Sequence, residues 1–456
     1  MTKTKLKKKI LYNLNVNKKN YFTDGKNKFF YKDILKKFRK FEIFFKLKDI
    51  QNKKTLAVIY NETGVHFWIN ILISFISGIT VMPLKKKSKN FIKIEKFFDV
   101  IILCDGNNYE IFKNGKRKKN QIMDKTEYIS STSGSTGEPK MILHKFDSII
   151  KNSLETCERV KFKSNKNFLI SIPGFYNSAI CHFFTCLLKN MNFFYIENFM
   201  FPKNLNNILF KYKINYFGGA PIQADWIIKS NSKKKINLEK ILSSGDFLNH
   251  ETINIYLKKK LKPNLYNIYG ITEVGGRVFI NDIKNSKNPY ALGNSLKHFK
   301  IIKRKISSKI FEIGIKSNFN FLGYYSNKFS HFDKKRCVYY TDDLAAVYKR
   351  DLILQGRKNE IFKSSGIKIF PEYIKNEMLK IKNVTNAFVF SKNFEIVGNM
   401  PVAAYESKKK ISNNYFVDKL CSVMQKNQIP IKFKHYKQFP FLNNKKINNL
   451  KIKNEF

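Results

Sequence analysis

A nine-residue segment, Thr132 to Lys140, carries residue types that bind phosphate, in the order Thr-Ser-Gly-Ser-Thr-Gly-Glu-Pro-Lys. Its glycines permit positive φ and a close backbone approach, so successive N–H groups can converge on one anion. The hydroxyls add donors, and Lys140 adds a positive charge suited to phosphate. A Ser/Gly-rich surface turn or linker is the alternative. The pattern favours a phosphate loop, because Pro139-Lys140 leads directly into the apolar run Met141-Ile142-Leu143.

The segment lies in a chain whose apolar runs alternate between strand-like and helix-like patterns. Before it, a helix is expected within 28–50, with Ile34, Phe38, Phe41 and Phe45 on one side. Short strands are expected before and after the segment, at 56–60, 79–82, 100–104, 168–173, 192–196, 216–219 and 241–246. Helices are expected at 65–77, 178–188, 205–212 and 251–260. This alternation predicts a doubly wound α/β fold with ligands at strand carboxyl ends, and the strand-rich stretch 290–350 predicts a small β layer.

Length and composition bound the class of protein. The 456 residues predict two or three domains, and 43% hydrophobic content excludes wholesale disorder. The formal net charge of +52 is typical of nucleic-acid binders, but only eight of the 86 basic residues are arginine. Lysine is spread along the whole chain together with Asn, Ile and Phe, which share AT-rich codons. The charge therefore indicates solvated lysine rather than a specific nucleic-acid surface.

Cysteine usage and hydropathy point to a cytoplasmic protein. Six scattered cysteines form no Cys-x-x-Cys motif, which indicates a reducing compartment without structural zinc, and Cys181 and Cys186 are expected in the core. The basic segment Met1–Asn20 lacks the apolar region of a signal peptide. The most apolar stretch, 65–81, is interrupted by polar residues and is expected to be a buried helix followed by a strand.

Three separated segments resemble those of the adenylate-forming superfamily, which joins acyl- and aryl-CoA synthetases, peptide-synthetase adenylation domains and luciferases. They are Thr132–Lys140, Tyr269–Glu273, and Gly356-Arg357 running to Gly366 and Pro371-Glu372. Further likeness occurs at Tyr324-Tyr325, at 340–344, and at Phe439-Pro440 followed by Lys445-Lys446-Ile447. The resemblance covers about 28–452. It implies an N-terminal AMP-binding domain at 1–357 and a small, mobile C-terminal α+β lid domain at 358–456.

The resemblance implies an enzyme that uses ATP and Mg²⁺ to form an acyl-adenylate with release of pyrophosphate. Carboxylate attack on a phosphate meets like-charge repulsion, so catalysis is mostly charge neutralisation and positioning. Tyr269 would stack on adenine, Thr272 would donate to the α-phosphate, and Glu273 would bind Mg²⁺. An ordinary turn before a strand is the alternative for this segment. The implied ATP/AMP-binding set is Thr132, Ser133, Gly134, Ser135, Thr136, Gly137, Lys140, Gly245, Asp246, Asn267, Tyr269, Gly270, Thr272, Asp343 and Arg357.

Single residues of the later segments acquire roles from the same resemblance. Asp343 would accept hydrogen bonds from the ribose hydroxyls, although Asp342, where the family usually has glycine, is a competing candidate. Arg357 would contact ribose or phosphate, with a plain surface charge as the alternative. The remaining roles are a hinge at Asn359, a pantetheine channel at Gly366, and a catalytic lysine at Lys446, for which the neighbouring Lys445 is the alternative.

The acid and its acceptor are predicted from the segment 173–178. Amino-acid-activating relatives have an aspartate here that pairs with the substrate ammonium, and this chain has Phe175-Tyr176-Asn177-Ser178 instead. We therefore expect a fatty or aryl acid, with Phe175, Tyr176 and Ser178 in the acyl pocket and Phe184, Phe217, Phe247 and Tyr266 as further walls. Free coenzyme A is the expected acceptor, and the phosphopantetheine of a separate acyl carrier protein is the alternative. A basic nucleic-acid-binding protein and an inactive homologue remain as other classes.

Overall fold

The structure is a computed structural model that describes residues 3–50, 52–60, 64–85, 92–132, 140–196, 202–230, 236–246, 248–307, 310–325, 329–331, 338–364, 367–395, 398–440 and 447–456. Two large sheets, a smaller third sheet and a separate C-terminal layer follow one another through these residues. Among the described helices, none is both long enough and apolar enough to cross a bilayer.

The helices carry labels in chain order. They are α1 (Lys3–Val16), α2 (Tyr31–Leu47), α3 (Val65–Ser77), α4 (Ile92–Glu95), α5 (Gln121–Lys125), α6 (Phe146–Val160), α7 (Asn177–Leu188), α8 (Pro202–Lys211), α9 (Pro221–Lys229), α10 (His250–Lys259), α11 (Pro371–Met378), α12 (Asn413–Cys421) and α13 (Asn449–Asn454). Single 3-10 turns lie at Thr272–Val274, Lys358–Glu360 and Lys426–Gln428.

The strands are labelled in the same way. They are β1 (Tyr21–Thr23), β2 (Lys28–Phe30), β3 (Thr55–Tyr60), β4 (Thr80–Pro83), β5 (Val100–Asp105), β6 (Asn108–Lys113), β7 (Tyr128–Thr132), β8 (Lys140–His144), β9 (Asn167–Ile170), β10 (Asn192–Tyr195), β11 (Tyr216–Gly219), β12 (Lys240–Ser244), β13 (Asn264–Tyr269), β14 (Phe279–Asp282), β15 (Asn294–Ser295), β16 (Lys300–Lys305), β17 (Ile310–Lys316), β18 (Gly323–Tyr325), β19 (Phe329–His331), β20 (Val338–Tyr348), β21 (Asp351–Arg357), β22 (Phe362–Ser364), β23 (Ile367–Ile369), β24 (Asn386–Phe394), β25 (Gly398–Glu406) and β26 (Lys432–Tyr436).

Two large mixed sheets form the body of the molecule, which confirms the predicted α/β class. Sheet I has the order β15-β14-β13-β12-β11-β9-β10-β1-β2, and sheet II has the order β19-β18-β8-β7-β4-β3-β5-β6. The central strands run parallel, from β13 to β1 in sheet I and from β7 to β5 in sheet II. Parallel strands are buried on both faces, and the six residues of β3 are accordingly all buried.

The main hydrophobic core lies between the two sheets and encloses α1, α2, α3, α6 and α7. Alternation along β3 shows how the strands divide between cores, since Ala57 and Ile59 face this core while Leu56 and Val58 face a second one beside α4 and α5. A third core covers the other face of sheet I beneath α8, α9 and α10. Helices on both faces of both sheets give the doubly wound arrangement that the sequence predicts.

Helix α2 confirms its sequence prediction, since Ile34, Phe38, Phe41 and Phe45 are all buried. Helix α1 was not predicted, because Met1–Asn20 was described only as a basic stretch without the apolar region of a signal peptide. Three apolar residues of α1, Leu6, Ile10 and Leu14, face the main core, while Lys5, Lys8 and Lys9 are exposed. Helix α6, with a buried stripe and polar residues opposite, was also missed.

Sheet III has the order β16-β17-β20-β21 and is the small β layer expected from 290–350. Its last strand ends at Arg357, and the residues that follow build the hairpin β22-β23, the sheet β24-β25-β26 and helices α11 and α12 around their own core. We propose on this basis that the small domain begins at residue 358. Helix α10 meets it where Asn249 Nδ2 donates to the Thr385 carbonyl at 2.6 Å.

Candidate active site

The Thr132–Lys140 segment connects the antiparallel strands β7 and β8, which are neighbours in sheet II. Thr132 is the last residue of β7 and pairs with Lys140, the first residue of β8. Because β7 runs parallel to β4, the connection leaves the carboxyl edge of the parallel strands, where ligands collect in such sheets. The Lys140 side chain is exposed. The loop residues proper, Ser133, Gly134, Ser135, Thr136 and Gly137, lie outside the described residues.

The segment 269–273 forms a tight loop between β13 and β14 of sheet I. Gly276 N donates to Ile271 O at 2.8 Å, and Val278 N donates to Tyr269 O at 2.8 Å, so the loop closes on itself. A side chain from α7 also holds it, since Asn177 Nδ2 donates to Thr272 O at 3.0 Å. These contacts fix the backbone of Thr272 and Glu273 just beyond β13, at the carboxyl end of the parallel strands.

Gly270 is required by a close backbone approach across this loop. A Cβ placed at Gly270 would lie 2.0 Å from the carbonyl oxygen of Gly276, which is a backbone atom that cannot move aside alone. We expect Gly270→Ala to lower the free energy of unfolding by about 1–3 kcal/mol, the usual cost of overpacking. Gly115→Ala is the matched control, because a Cβ there meets no heavy atom within 4 Å. Denaturant titration of both variants measures the difference, and equal stabilities would contradict the close approach.

Two tyrosines orient the carboxylate of Glu273. Tyr324 Oη donates to Glu273 Oε1 at 2.9 Å, and Tyr339 Oη lies 3.2 Å from Tyr324 Oη. Burial, together with the charge of Glu273, raises the pKa of both tyrosines far above the ordinary value, so both remain neutral donors. The Tyr324-Tyr325 motif was part of the resemblance, but the contact with Glu273 spans 51 positions and has no signal in the sequence.

Asp343 is held between the loop and sheet III. Its Oδ2 accepts a 2.5 Å hydrogen bond from Tyr269 Oη, and its Oδ1 lies 3.0 Å from Arg357 Nε. Asp343 is 5% exposed, so burial raises the pKa of its carboxyl group while the charge of Arg357 opposes that rise. The Asp343 carboxylate thereby joins three separate segments of the chain, those of Tyr269, Asp343 and Arg357.

Asp342 has a different environment from Asp343. It is exposed, and its φ of 60° is in the left-handed region that favours glycine. Of these two neighbours in β20, Asp343 is therefore the one that is buried beside Tyr269. Aspartate tolerates positive φ better than most residues, so Asp342 can adopt this conformation without glycine.

The remaining nucleotide candidates lie on neighbouring strands of sheet I. Gly245 follows β12 with a φ of 97°, and Asp246 beside it is exposed. Burial acts to lower the pKa of Lys375 in α11, but the carboxylate of Glu372 and, to a smaller extent, the charge of Asp246 raise it above its ordinary value. Asn267 lies in β13 opposite Ser243 of β12 and shares a face with Tyr269.

The predicted acyl-pocket residues lie at the start of α7. The rings of Phe175 and Tyr176 have centroids 4.4 Å apart, and Tyr176 is 39% exposed. Ser178 Oγ lies 2.7 Å from Ser244 Oγ at the end of β12. The three further walls that the structure describes belong to cores instead. Phe184 packs on Phe75 and Phe146 in the main core, Tyr266 lies in the same core, and Phe217 faces the core under α8 to α10.

The predicted hinge residue, Asn359, is exposed in the 3-10 turn Lys358–Glu360. The turn is tied to sheet III because Lys358 Nζ contacts the buried Glu312 Oε2 at 3.2 Å. Gly366, Phe247, Lys445 and Lys446 lie outside the described residues.

Comparisons with known proteins agree with this architecture. A sequence model of the AMP-binding enzyme family matches residues 55–325. The chain is 24% identical over 365 residues to a D-alanine–D-alanyl carrier protein ligase of Staphylococcus epidermidis, covering 75% of this chain and 73% of the relative. It is 25% identical over 308 residues to a 2-succinylbenzoate–CoA ligase of Haemophilus influenzae, covering 65% and 64%.

A solved structure shares the fold over almost the whole chain. The o-succinylbenzoate CoA synthetase of Bacillus subtilis, in complex with its acyl-adenylate intermediate, superimposes with a TM-score of 0.76 and 15% identity. The match covers 98% of this chain and 97% of that structure, so both the large body and the C-terminal layer have counterparts in it.

Proposed function

Because the chain belongs to the AMP-binding enzyme family of adenylate-forming ligases, we propose that it activates a carboxylic acid with ATP and passes the acyl group to a thiol. In the first step a carboxylate oxygen bonds to the α-phosphorus of ATP and pyrophosphate leaves. In the second step the thiol sulfur bonds to the acyl carbon, the thiol loses its proton, and AMP leaves with the oxygen that bridged the two.

The observation that carries the proposal is the position of Asp343 between Tyr269 and Arg357. A carboxylate is the natural acceptor for the two ribose hydroxyls, and its two oxygens retain acceptor capacity beyond the bonds already made. In the proposed site Tyr269 presents its ring to adenine, and Thr272 donates to the α-phosphate. The loop 132–140 encloses the other phosphates, and Lys446 bridges the carboxylate and the α-phosphate in the transition state.

Mg²⁺ fits the donor set at Glu273. Mg²⁺ is usually bound through one or two carboxylates together with substrate phosphates, rather than by a cage made wholly of protein groups. The described residues contain one oriented carboxylate here and no cluster of three or more metal-binding side chains. Glu273 would hold the ion against the phosphates, where it would neutralise charge during adenylation.

Tyr324→Phe tests the role of Glu273 without removing its carboxylate. The change deletes the hydroxyl that donates to Glu273, and a lost hydrogen bond to a charged group costs roughly 1.5–3 kcal/mol. We expect the Mg²⁺ concentration for half-maximal activity to rise about 10-fold. Tyr325→Phe is the control, because that hydroxyl donates to Lys93 O at 3.0 Å and does not contact Glu273. If the magnesium titration curves of the two variants coincide, Tyr324 does not contribute to Mg²⁺ binding.

For the acid, we propose a fatty or aryl acid over an α-amino acid. The segment Phe175-Tyr176-Asn177-Ser178 contains no carboxylate to pair with an ammonium group, and burying an unpaired ammonium is costly. Asn177, at the centre of this segment, is committed to the scaffold: it accepts from Tyr128 Oη at 2.9 Å and donates to Thr272 O. The amino-acid alternative retains support from the likeness to D-alanine–D-alanyl carrier protein ligases.

For the thiol, we propose coenzyme A, with the phosphopantetheine of an acyl carrier protein as the second candidate. The likeness to 2-succinylbenzoate–CoA ligase supports the first, and the likeness to a carrier protein ligase supports the second. A simple assay distinguishes the two acceptors. Acyl-adenylate that accumulates in the presence of coenzyme A, and is consumed only when a carrier protein is added, would exclude coenzyme A.

The proposed activity is tested by acid-dependent exchange of labelled pyrophosphate into ATP, with a panel of fatty, aryl and amino acids. Exchange requires reversible adenylate formation and no thiol, so it isolates the first step. We expect exchange with fatty or aryl acids and none with D-alanine. Exchange with none of the three classes would contradict the enzyme assignment, and salt-sensitive RNA binding in its place would favour the nucleic-acid alternative.

A further inference from the structure

A chain of three polar side chains runs from helix α6 to the loop that carries Thr272 and Glu273. Its inner member is Asn152 of α6, which is 0% exposed. Asn152 Nδ2 donates to Val274 O at 2.9 Å and to Gly275 O at 3.0 Å. One amide group thereby holds the two carbonyls that directly follow Glu273, and both of its N–H groups are used.

The other carbonyls of this turn are held as well. Thr272 O accepts from the side chain of Asn177 in α7 at 3.0 Å, and Glu273 O accepts from Phe321 N at 3.0 Å. The turn is therefore fixed from three directions, by α7, by the segment that precedes β18, and by Asn152 in α6. Because a buried backbone carbonyl is costly to leave unpaired, loss of one of these donors would shift the turn.

His298 fixes the orientation of Asn152. The imidazole Nε2 lies 2.9 Å from Asn152 Oδ1. Since Asn152 Nδ2 faces two carbonyls, which can only accept, the amide oxygen is the atom that faces the ring. Nε2 of His298 must then carry a proton and donate it. Asn152 is thus bonded at both of its polar atoms, and His298 belongs to the segment that leads into β16 of sheet III.

Glu155, one turn further along α6, holds the same ring from its other side. Its Oε1 accepts from His298 Nδ1, and the backbone N–H groups of Lys297 and His298 also donate to this carboxylate. Burial acts to raise the pKa of Glu155, but the hydrogen bonds from His298 and Lys297 lower it below its ordinary value. Burial lowers the pKa of His298, and the charge of Glu155 opposes that effect. Glu155 therefore orients the ring and favours the retention of its protons.

We propose that His298, acting through Asn152, is a positioning residue for adenylate formation. This inference rests on the proposed function and adds residues to its site. Neither side chain needs to touch substrate. Together they fix the backbone that follows Glu273, and so the places of Thr272 and Glu273, which the proposed function assigns to the α-phosphate and Mg²⁺. A displacement of about 1 Å in such groups can cost about 100-fold in rate, so a small shift of the turn is enough.

Two conservative variants of the ring test this role. The amide nitrogen of glutamine is as many bonds from Cα as Nε2 of histidine, whereas that of asparagine is only as many as Nδ1. His298→Gln can therefore still donate to Asn152, and His298→Asn cannot reach it. Both variants lose the ring that packs on Phe299 and Phe319, so they are matched in lost packing.

Acid-dependent pyrophosphate exchange at varied acid and varied Mg²⁺ separates the two variants. We expect His298→Asn to lower kcat about 10- to 100-fold, the usual cost of losing a residue that orients a metal-binding group. Its Mg²⁺ concentration for half-maximal activity should rise, and its KM for the acid should stay unchanged. His298→Gln should remain within a few-fold of the wild-type kcat. Thermal unfolding of both variants shows whether they are folded at the assay temperature.

Each outcome supports or overturns the inference. Equal kcat values in the two variants would show that the ring only packs, and the reverse order would show that the bond to Glu155 matters rather than the bond to Asn152. Both results would overturn the inference and leave the proposed function standing, whereas a wild-type protein without exchange would contradict the proposed function itself. If His298→Asn does not fold, Glu155→Ala replaces it: we expect about a 10-fold lower kcat at unchanged KM for the acid, and an unchanged kcat would overturn the inference.

Discussion

Asp343→Ala is expected to raise the KM for ATP about 100-fold, because it removes the acceptor proposed for the ribose and deprives the Tyr269 hydroxyl and the Arg357 guanidinium of their shared carboxylate partner. The Asp343 carboxylate accepts from Tyr269 at 2.5 Å and pairs with Arg357 at 3.0 Å, while its backbone N–H donates to Thr341 Oγ1 at 3.0 Å. Removing the side chain leaves the Tyr269 hydroxyl free to turn away from its present position. The effect should therefore fall on nucleotide binding more than on binding of the acid.

Asp342→Gly is the control that distinguishes Asp343 from its neighbour as the residue that contacts the ribose. Asp342 is exposed, and its φ of 60° suits glycine, so the substitution should leave the KM for ATP unchanged and the stability equal or slightly higher. Initial rates of pyrophosphate exchange at varied ATP give both KM values, and thermal unfolding without ligand separates binding from folding. A rise in the KM for ATP with Asp342→Gly and none with Asp343→Ala would contradict this account, because it would assign the ribose contact to Asp342.

Lys446→Ala is expected to lower the rate of adenylate formation about 1000-fold with little change in the KM for ATP. The lysine neutralises charge that develops between carboxylate and phosphate only as they react, and groups of that kind contribute about 100- to 1000-fold to kcat. The role rests on the motif Phe439-Pro440 with Lys445-Lys446-Ile447, since residues 441–446 lie outside the described structure. Single-turnover measurement of adenylate formation reports the step directly.

Lys445→Ala separates the two adjacent lysines. It removes the same charge from the same lysine-rich tail, so a general effect of net charge would appear equally in both variants. We expect Lys445→Ala to remain within a few-fold of the wild-type rate. The reverse order of effects would move the catalytic role by one position, and two unaffected variants would remove it from this segment. Synthetic acyl-adenylate and thiol supplied to Lys446→Ala should still yield thioester.

Much of the fold was predictable because its apolar pattern is strong. The periodicity of α2 and the short buried strand β3 were both recovered from the sequence, and their burial follows directly from it. Helix α1 was missed because its lysines outnumber the three apolar residues that it buries, and lysine spread by composition obscures a narrow apolar stripe. Which strands pair was not predictable, since β9 lies between β10 and β11 in the sheet.

In the candidate site, too, some features were predictable from the sequence and others were not. Asp343, Tyr269 and Arg357 were named from motifs, and the structure brings them together. Contacts across long chain separations had no signal in the sequence, namely the bond of Tyr324 to Glu273 and the bond of His298 to Asn152 across 146 positions. Neither His298 nor Asn152 was part of a recognised motif. Their contact depends on the packing of α6 against the segment before sheet III, which local pattern does not determine.

The central claim is that a carboxylate oxygen of the acid attacks the α-phosphorus of ATP. Incubation of the protein with ATP, thiol and acid labelled with ¹⁸O in its carboxylate tests it directly by mass spectrometry of the nucleotide product. We predict AMP that carries one ¹⁸O atom from the acid, together with unlabelled pyrophosphate. Unlabelled nucleotide with ¹⁸O in inorganic phosphate, or ADP as the nucleotide product, would contradict adenylate formation at this site.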